Sequence, residues 1–204
     1  VVMGPAPYAS ASMVFPYGEG ARFVVDNYLA GGTDAVVALY DDIPSSTRRV
    51  LSAAGAEEPA GGWTEALGAI DESQLPAGFA VVTEDSLGAW LFQVFLSRFE
   101  LAEAGSRWPL ALRGDSFVAL SDGADVVGLW ALRFAPGDAA AAQALLSGLG
   151  DGLRVELRGG TDVLVFGGAD ATLLERFATD FAWPPPQGTA GGASASRLPP
   201  RLRS

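Results

Sequence analysis

Apolar residues recur at three- and four-residue intervals in several stretches of the chain, and in others they alternate or run together over four to nine residues. Phe23, Val24, Asn27 and Tyr28, ahead of Gly31-Gly32, predict a helix over about 18–30, punctuated at its start by Pro16 and Gly18. A second short helix is expected over 33–40 with Thr33 as its cap, and Pro44-Ser45-Ser46-Thr47 opens a third through Leu51. The strongest helical pattern lies at 86 to about 103. There Leu87, Trp90, Leu91, Val94, Phe95 and Phe99 share one stripe behind a Glu84-Asp85-Ser86 cap. That stripe reads as core, with Trp90 and Phe95 buried.

Strand patterns appear at 79–82, 117–120, 126–134, 153–157 and 163–166. Ser121-Asp122-Gly123-Ala124 forms a hairpin turn and Gly159-Gly160 a second turn. Asp138 and Asp170 stand where helix caps belong, ahead of helices over 139–149 and to about Phe181. The last third is therefore a strand–strand–helix unit made twice. The expected fold class is α+β: an N-terminal helical segment plus an antiparallel sheet from the doubled unit, with both of its helices on one face. Residues 1–84 read as a helical lead-in and loop segment, with an amphipathic patch around Trp63, Leu67 and Ile70. Residues 85–183 read as the long helix and the sheet, and 184–204 as a flexible Pro/Gly/Arg tail.

Composition narrows the chemistry. The chain has no His and no Cys, so the usual metal ligands and the usual base and thiol of nucleophilic catalysis are missing. Its 13 basic residues are all Arg, a bias that GC-rich codon usage explains. The tail carries Arg197, Arg201 and Arg203 with no acid, a charge of +3. The first 183 residues hold 24 acids against 10 Arg, a charge of −14, which repels nucleic-acid phosphates and anionic membranes. No apolar run is long enough for a membrane span. The acidic clusters Asp41-Asp42, Glu57-Glu58 and Asp122/Asp125 lack calcium-loop spacing and read as turns, caps or surface. Gly167-Gly168-Ala169-Asp170 precedes a helix, but Asp170 would repel an anion there. No catalytic, cofactor-binding or metal-binding residue is assigned, no cofactor is implied, and neither nucleic acid nor a membrane span is expected among the partners.

One dispersed pattern carries a resemblance. Phe15-Pro16-Tyr17-x-x-Gly20-x-x-Phe23-Val24 is followed by Gly31-Gly32 and by Pro44-Ser45-Ser46-Thr47. Downstream come Asp85-Ser86-Leu87-Gly88, Trp108, Arg113-Gly114-Asp115 and Val127-Gly128-Leu129-Trp130. Over residues 13–182 this order resembles the C-terminal half of a group of bacterial secreted proteins and lipoproteins of zinc-metallopeptidase type. Their His-Glu-x-x-His helix lies upstream of the resembled segment. Where that family tends to have Gln and then His-Pro after the Ser-Thr pair, this chain has Arg48-Arg49-Val50-Leu51-Ser52. Where the family tends to have an acid after Leu-Gly, this chain has Ala89. The zinc motif has no counterpart, so no catalytic residue carries over.

The resemblance implies a non-catalytic C-terminal portion of a secreted metallopeptidase-like protein, supplying scaffold or a cleft wall, in a secreted or cell-envelope location. The chain by itself is not expected to be an enzyme. The opening Val1-Val2-Met3-Gly4 lacks a start Met and a signal peptide and reads as the interior of a longer polypeptide. The implied partner is a protein, or the missing N-terminal zinc-bearing segment. The alternative is a structural or interaction module of the cell envelope or of a protein assembly.

Overall fold

The computed structural model describes residues 6–52, 62–99, 101, 107–150, 152–168, 170–181 and 183. The expected tail and Glu57-Glu58 lie outside the described residues. The fold is α+β, with N-terminal helices followed by a five-stranded antiparallel sheet, four of its strands from the doubled unit and the fifth, Ala80–Asp85, ahead of it.

A proline and a pair of glycines shape the N-terminal helices. Helix α1 (Ala6–Val14) runs through Phe15 into a π-helical turn, Pro16–Gly20, and then into α2 (Ala21–Ala38). Phe15, Gly20 and Ala21 all keep right-handed helical dihedrals, so the path stays helical across the turn. Pro16 has no amide to donate, and the Gly20 amide reaches back five residues to the Phe15 carbonyl at 3.0 Å. Gly31 and Gly32 leave the helical region (φ 67° at Gly32) and break α2 where the sequence predicts a stop. Helix α3 (Thr47–Leu51) begins where Ser46 accepts from the Arg49 amide at 3.3 Å. Arg49 turns back to Asp42, donating Nη1 to Oδ1 at 2.8 Å and Nη2 to Oδ2, and this pair ties the end of the N-terminal helices to α3.

Strands β1 (Ala80–Asp85), β2 (Leu112–Ser121), β3 (Val126–Phe134), β4 (Leu153–Arg158) and β5 (Asp162–Gly168) lie in the order β1-β2-β3-β5-β4, each pair antiparallel. Helix α4 (Gly88–Ser97) follows β1, and the single turn α5 (Trp108–Ala111) leads into β2. The last two helices are α6 (Asp138–Ser147), between β3 and β4, and α7 (Ala171–Asp180), after β5. Because β5 inserts between β3 and β4, those two strands run parallel to each other, and α6 is their crossover.

The sheet is covered on both sides, which corrects the expectation that both helices of the doubled unit share one face. Val127, Leu129 and Ala131 of β3, with Leu164 and Phe166 of β5, pack with Leu174 and Phe177 of α7. Trp130, Leu132 and Phe134, with Val163 and Val165, pack with Phe92 and Phe95 of α4 and with Ala139, Ala142 and Leu146 of α6. The cause is visible in β5. Val163-Leu164-Val165-Phe166 is apolar at every position, so each face needs its own cover.

Two further expectations change at the helix ends. The pattern over 86–103 becomes the shorter α4, and Asp138 is the first residue of α6, whose cap position is Gly137. Asp170 caps α7 as expected, accepting from the amides of Thr172 at 2.7 Å and Leu173 at 3.1 Å. Phe95 is buried as expected, whereas Trp90 is half-buried. Its ring lies 5.2 Å from that of Phe15, and its indole N–H donates to the Ala11 carbonyl at 3.2 Å. It seals the seam between α1 and α4 rather than filling the core. Among the described residues, no helix is long and apolar enough to cross a membrane.

Phe92 is fully buried, so Phe92→Ala is expected to cost about 3–5 kcal/mol, and Trp90→Ala clearly less, in urea denaturation. Hydrogen bonds from Arg49 hold the Asp42 carboxyl below the usual carboxylate range. The stabilisation from this pair is therefore present above the ordinary carboxylate value and is lost as pH falls through the lower, folded-state value. Midpoints measured against pH should show Asp42→Asn less stable than the parent near neutrality, with the difference closing on the acid side of about pH 4.

Candidate functional site

Asp115 stands on β2, on the sheet face that carries Trp130 and Leu132, and it is fully buried. Five donors from three other parts of the chain meet its carboxylate. Oδ1 accepts from the Ser86 hydroxyl at 2.5 Å and from the Trp63 indole N–H at 3.0 Å. Oδ2 accepts from the amides of Leu87 at 2.8 Å and Gly88 at 3.1 Å and from the Trp130 indole N–H at 2.8 Å. The Trp63 indole also reaches the Ser86 oxygen at 3.0 Å.

Local sequence builds each side of this junction. Helix α4 has no side-chain cap of its own. Asp115 supplies one from the sheet face beneath the helix, placing negative charge where the helix dipole favours it. Gly88 has φ 75°, and an added Cβ would stand 2.7 Å from the Thr47 hydroxyl oxygen. That same oxygen accepts from the Trp90 amide at 3.1 Å, so α3 caps α4 as well. At Gly114 a Cβ would stand 1.9 Å from the Thr64 carbonyl oxygen. This close approach lets residues 63–66 lie along β2 beyond the end of β1, through a parallel bridge between Thr64 and Gly114. Ser116 then accepts from the amides of Ala66 at 2.9 Å and Leu67 at 3.1 Å on the opposite face. Arg133 donates to the Glu65 carbonyl at 2.8 Å and makes two bonds to the buried Asp162, at 2.7 and 2.9 Å.

The arrangement constrains the chemistry. A carboxylate has about four lone-pair directions, and five donors already occupy those of Asp115. The Leu87 and Gly88 amides, which could otherwise stabilise a developing oxyanion, point at Asp115 instead. Ser86 therefore sits in a saturated network, which suits a structural junction and not an activated nucleophile. Beside the junction opens a cleft of about 350 Å³ lined by Glu65, Glu84, Asp85, Ser86, Leu67 and Phe117 among others. A second hollow, of about 310 Å³, holds Asp122, Asp125, Asp170 and Arg176. Two of its acids serve local backbone: Asp122 accepts from the amides of Ala124 and Asp125, which keep its carboxyl below the usual range, and Asp170 caps α7. Among the described residues, no group of three or more Asp or Glu is placed to hold a metal ion.

No candidate site residue is assigned from sequence, so the structure has none to bring together. It does bring together residues of the dispersed pattern: Thr47, Ser86, Leu87, Gly88, Gly114, Asp115 and Trp130. Trp63, which contributes two hydrogen bonds to the junction, belongs to no part of that pattern and carries no local signal of its role.

Removing Asp115 takes an acceptor from five donors, four of them N–H groups, and the Trp63 indole alone among them keeps a second partner, the Ser86 oxygen. Asp115→Ala is expected to cost at least about 3 kcal/mol in urea denaturation. Asp115→Asn should recover little, because its amide presents N–H groups to donors. Ser86→Ala, which removes one hydroxyl, should cost about 1–2 kcal/mol. An Asp115→Ala protein as stable as the parent would remove the junction from its central place. Compared with known proteins, the chain matches no protein family, no curated protein and no solved structure.

Proposed function

We propose that this chain is the non-catalytic C-terminal portion of a metallopeptidase-like protein of the cell exterior or envelope, serving as scaffold and as one wall of a cleft. The observation that carries the reading is that three separate pieces of the dispersed pattern meet at one carboxylate, Ser86-Leu87-Gly88 and Trp130 donating to Asp115, while a fourth, Thr47, caps the same helix α4 through the Trp90 amide. Short motifs that share an order along a chain have a physical reason to do so when they meet at one point of the fold. The junction also fixes β1, α4 and residues 63–67 around the acidic cleft, so a segment entering that cleft would meet a rigid wall bearing Glu65, Glu84 and Asp85. The zinc-binding His pair and its Glu belong, in this reading, to the polypeptide upstream.

A structural or interaction module is the second reading, and the large apolar surface of the N-terminal helices favours it. Two measurements bear on the first reading. Calorimetric titration with zinc should show no stoichiometric binding to this chain, and tight one-to-one binding would sink the proposal. The reading frame ahead of Val1 should encode a His-Glu-x-x-His helix, and its absence there would leave the module as the surviving reading.

A further inference from the structure

Helix α2 leaves most of its large apolar side chains exposed. It buries Phe23 and Asn27, the latter bonded to the Phe23 carbonyl at 2.8 Å. It turns Val24, Val25, Tyr28 and Leu29 to solvent, Leu29 at 76% exposure. Val24 and Tyr28 are four residues apart, as are Val25 and Leu29, so the exposed side chains form two adjacent stripes. Met13, Val14 and Tyr17 earlier in the chain, and Val37, Tyr40 and Ile43 later in it, are exposed as well. Of the fourteen large hydrophobic side chains exposed among the described residues, ten lie between Met13 and Ile43. This places the surplus on one stretch of the chain and not over the molecule at large.

Ten such side chains offer on the order of 1,000 Å² of apolar surface. Exposed apolar patches on monomers seldom exceed a few hundred Å², and one side of a standard protein–protein interface is about 800 Å². Charge selects the occupant. Residues 13–43 carry five carboxylates (Glu19, Asp26, Asp34, Asp41 and Asp42) against one guanidinium, Arg22, and Arg49 from outside the stretch pairs with Asp42, which leaves a net of −3. Arg22 is already engaged by Glu19 at 2.8 Å and by Asp26 at 3.0 Å. A second copy would bring −3 against −3, and an anionic lipid surface would be repelled as well.

We propose that the N-terminal helices are a docking surface for an amphipathic protein helix whose apolar face is flanked by Arg or Lys. This does not rest on the metallopeptidase-like reading, since any polypeptide with that chemistry fits. The apolar stripes bury the partner's apolar face, while the flanking acids meet its basic edges and set its orientation.

The test uses the full chain and two labelled synthetic helices with the same Leu/Ala face, one flanked by Lys and Arg and the other by Glu, read by fluorescence anisotropy. The basic-flanked helix should bind at least tenfold tighter than the acidic one at low salt, with the gap narrowing at 0.5 M salt. The double substitution Val25→Gln with Leu29→Gln should weaken binding at least tenfold with the thermal midpoint unchanged, while Val126→Gln, at an exposed position on β3, should leave binding intact. Equal affinity for the two helices, no binding of either, or no loss in the double variant would each overturn the proposal. So would three alternative occupants. One is a dimer in light scattering that the double variant dissolves. Another is zwitterionic vesicle binding that the double variant abolishes. The third is basic-helix binding that appears only after residues 187–204 are deleted.

Discussion

A buried carboxylate with five donors is the constraint on which the middle of this molecule depends. Asp115 costs desolvation wherever it is buried, and that cost is met only if the donors from residues 63, 86–88 and 130 arrive together. The position of α4 over the sheet, the path of residues 63–67 past Gly114 and the seating of the Trp130 ring are consequently one event and not three. Apolar packing around Phe92 and Phe95 supplies the bulk of the burial on this face. The carboxylate supplies its geometry, since hydrogen bonds have direction and apolar contacts have little.

Much of the sheet was legible in the chain. The hairpin around Asp122-Gly123 and the cap at Asp170 follow from local turn and cap chemistry, and the structure keeps both. That both faces of the sheet need cover was legible in the unbroken apolar run at 163–166, but not which helix lies on which face. Trp90 fits the helical stripe yet reaches only half burial, because periodicity gives a direction and not the depth of what lies in that direction. The Asp115 junction was not legible. Its donors come from as far as 52 residues away, and no local rule connects an indole at position 63 to a carboxylate at 115. The dispersed pattern contained most of the participants without indicating that they touch.

The N-terminal helices follow another logic. The junction draws polar groups inward and satisfies them, whereas α2 keeps an asparagine inside, bonded to its own backbone, and leaves valine, tyrosine and leucine outside. The two regions meet through the Phe15 and Trp90 rings, the indole bond to Ala11 and the Thr47 cap. Anything that seats on α2 therefore rests on a support continuous with α4 and, through it, with the carboxylate.

The strand order has a consequence in time as well as in space. Strand β4 lies at the sheet edge and bonds to β5, which follows it in the chain. During synthesis residues 153–158 leave the ribosome before the strand that will receive them exists, while β2 and β3 can already pair as a hairpin. Until 162–168 emerge, Val155 and its neighbours have no ladder to join, and the gap beside β3 stands open. The charged residues Arg154, Glu156 and Arg158 alternate along that waiting segment. They keep it soluble during the interval and discourage it from pairing with the same segment of another nascent chain.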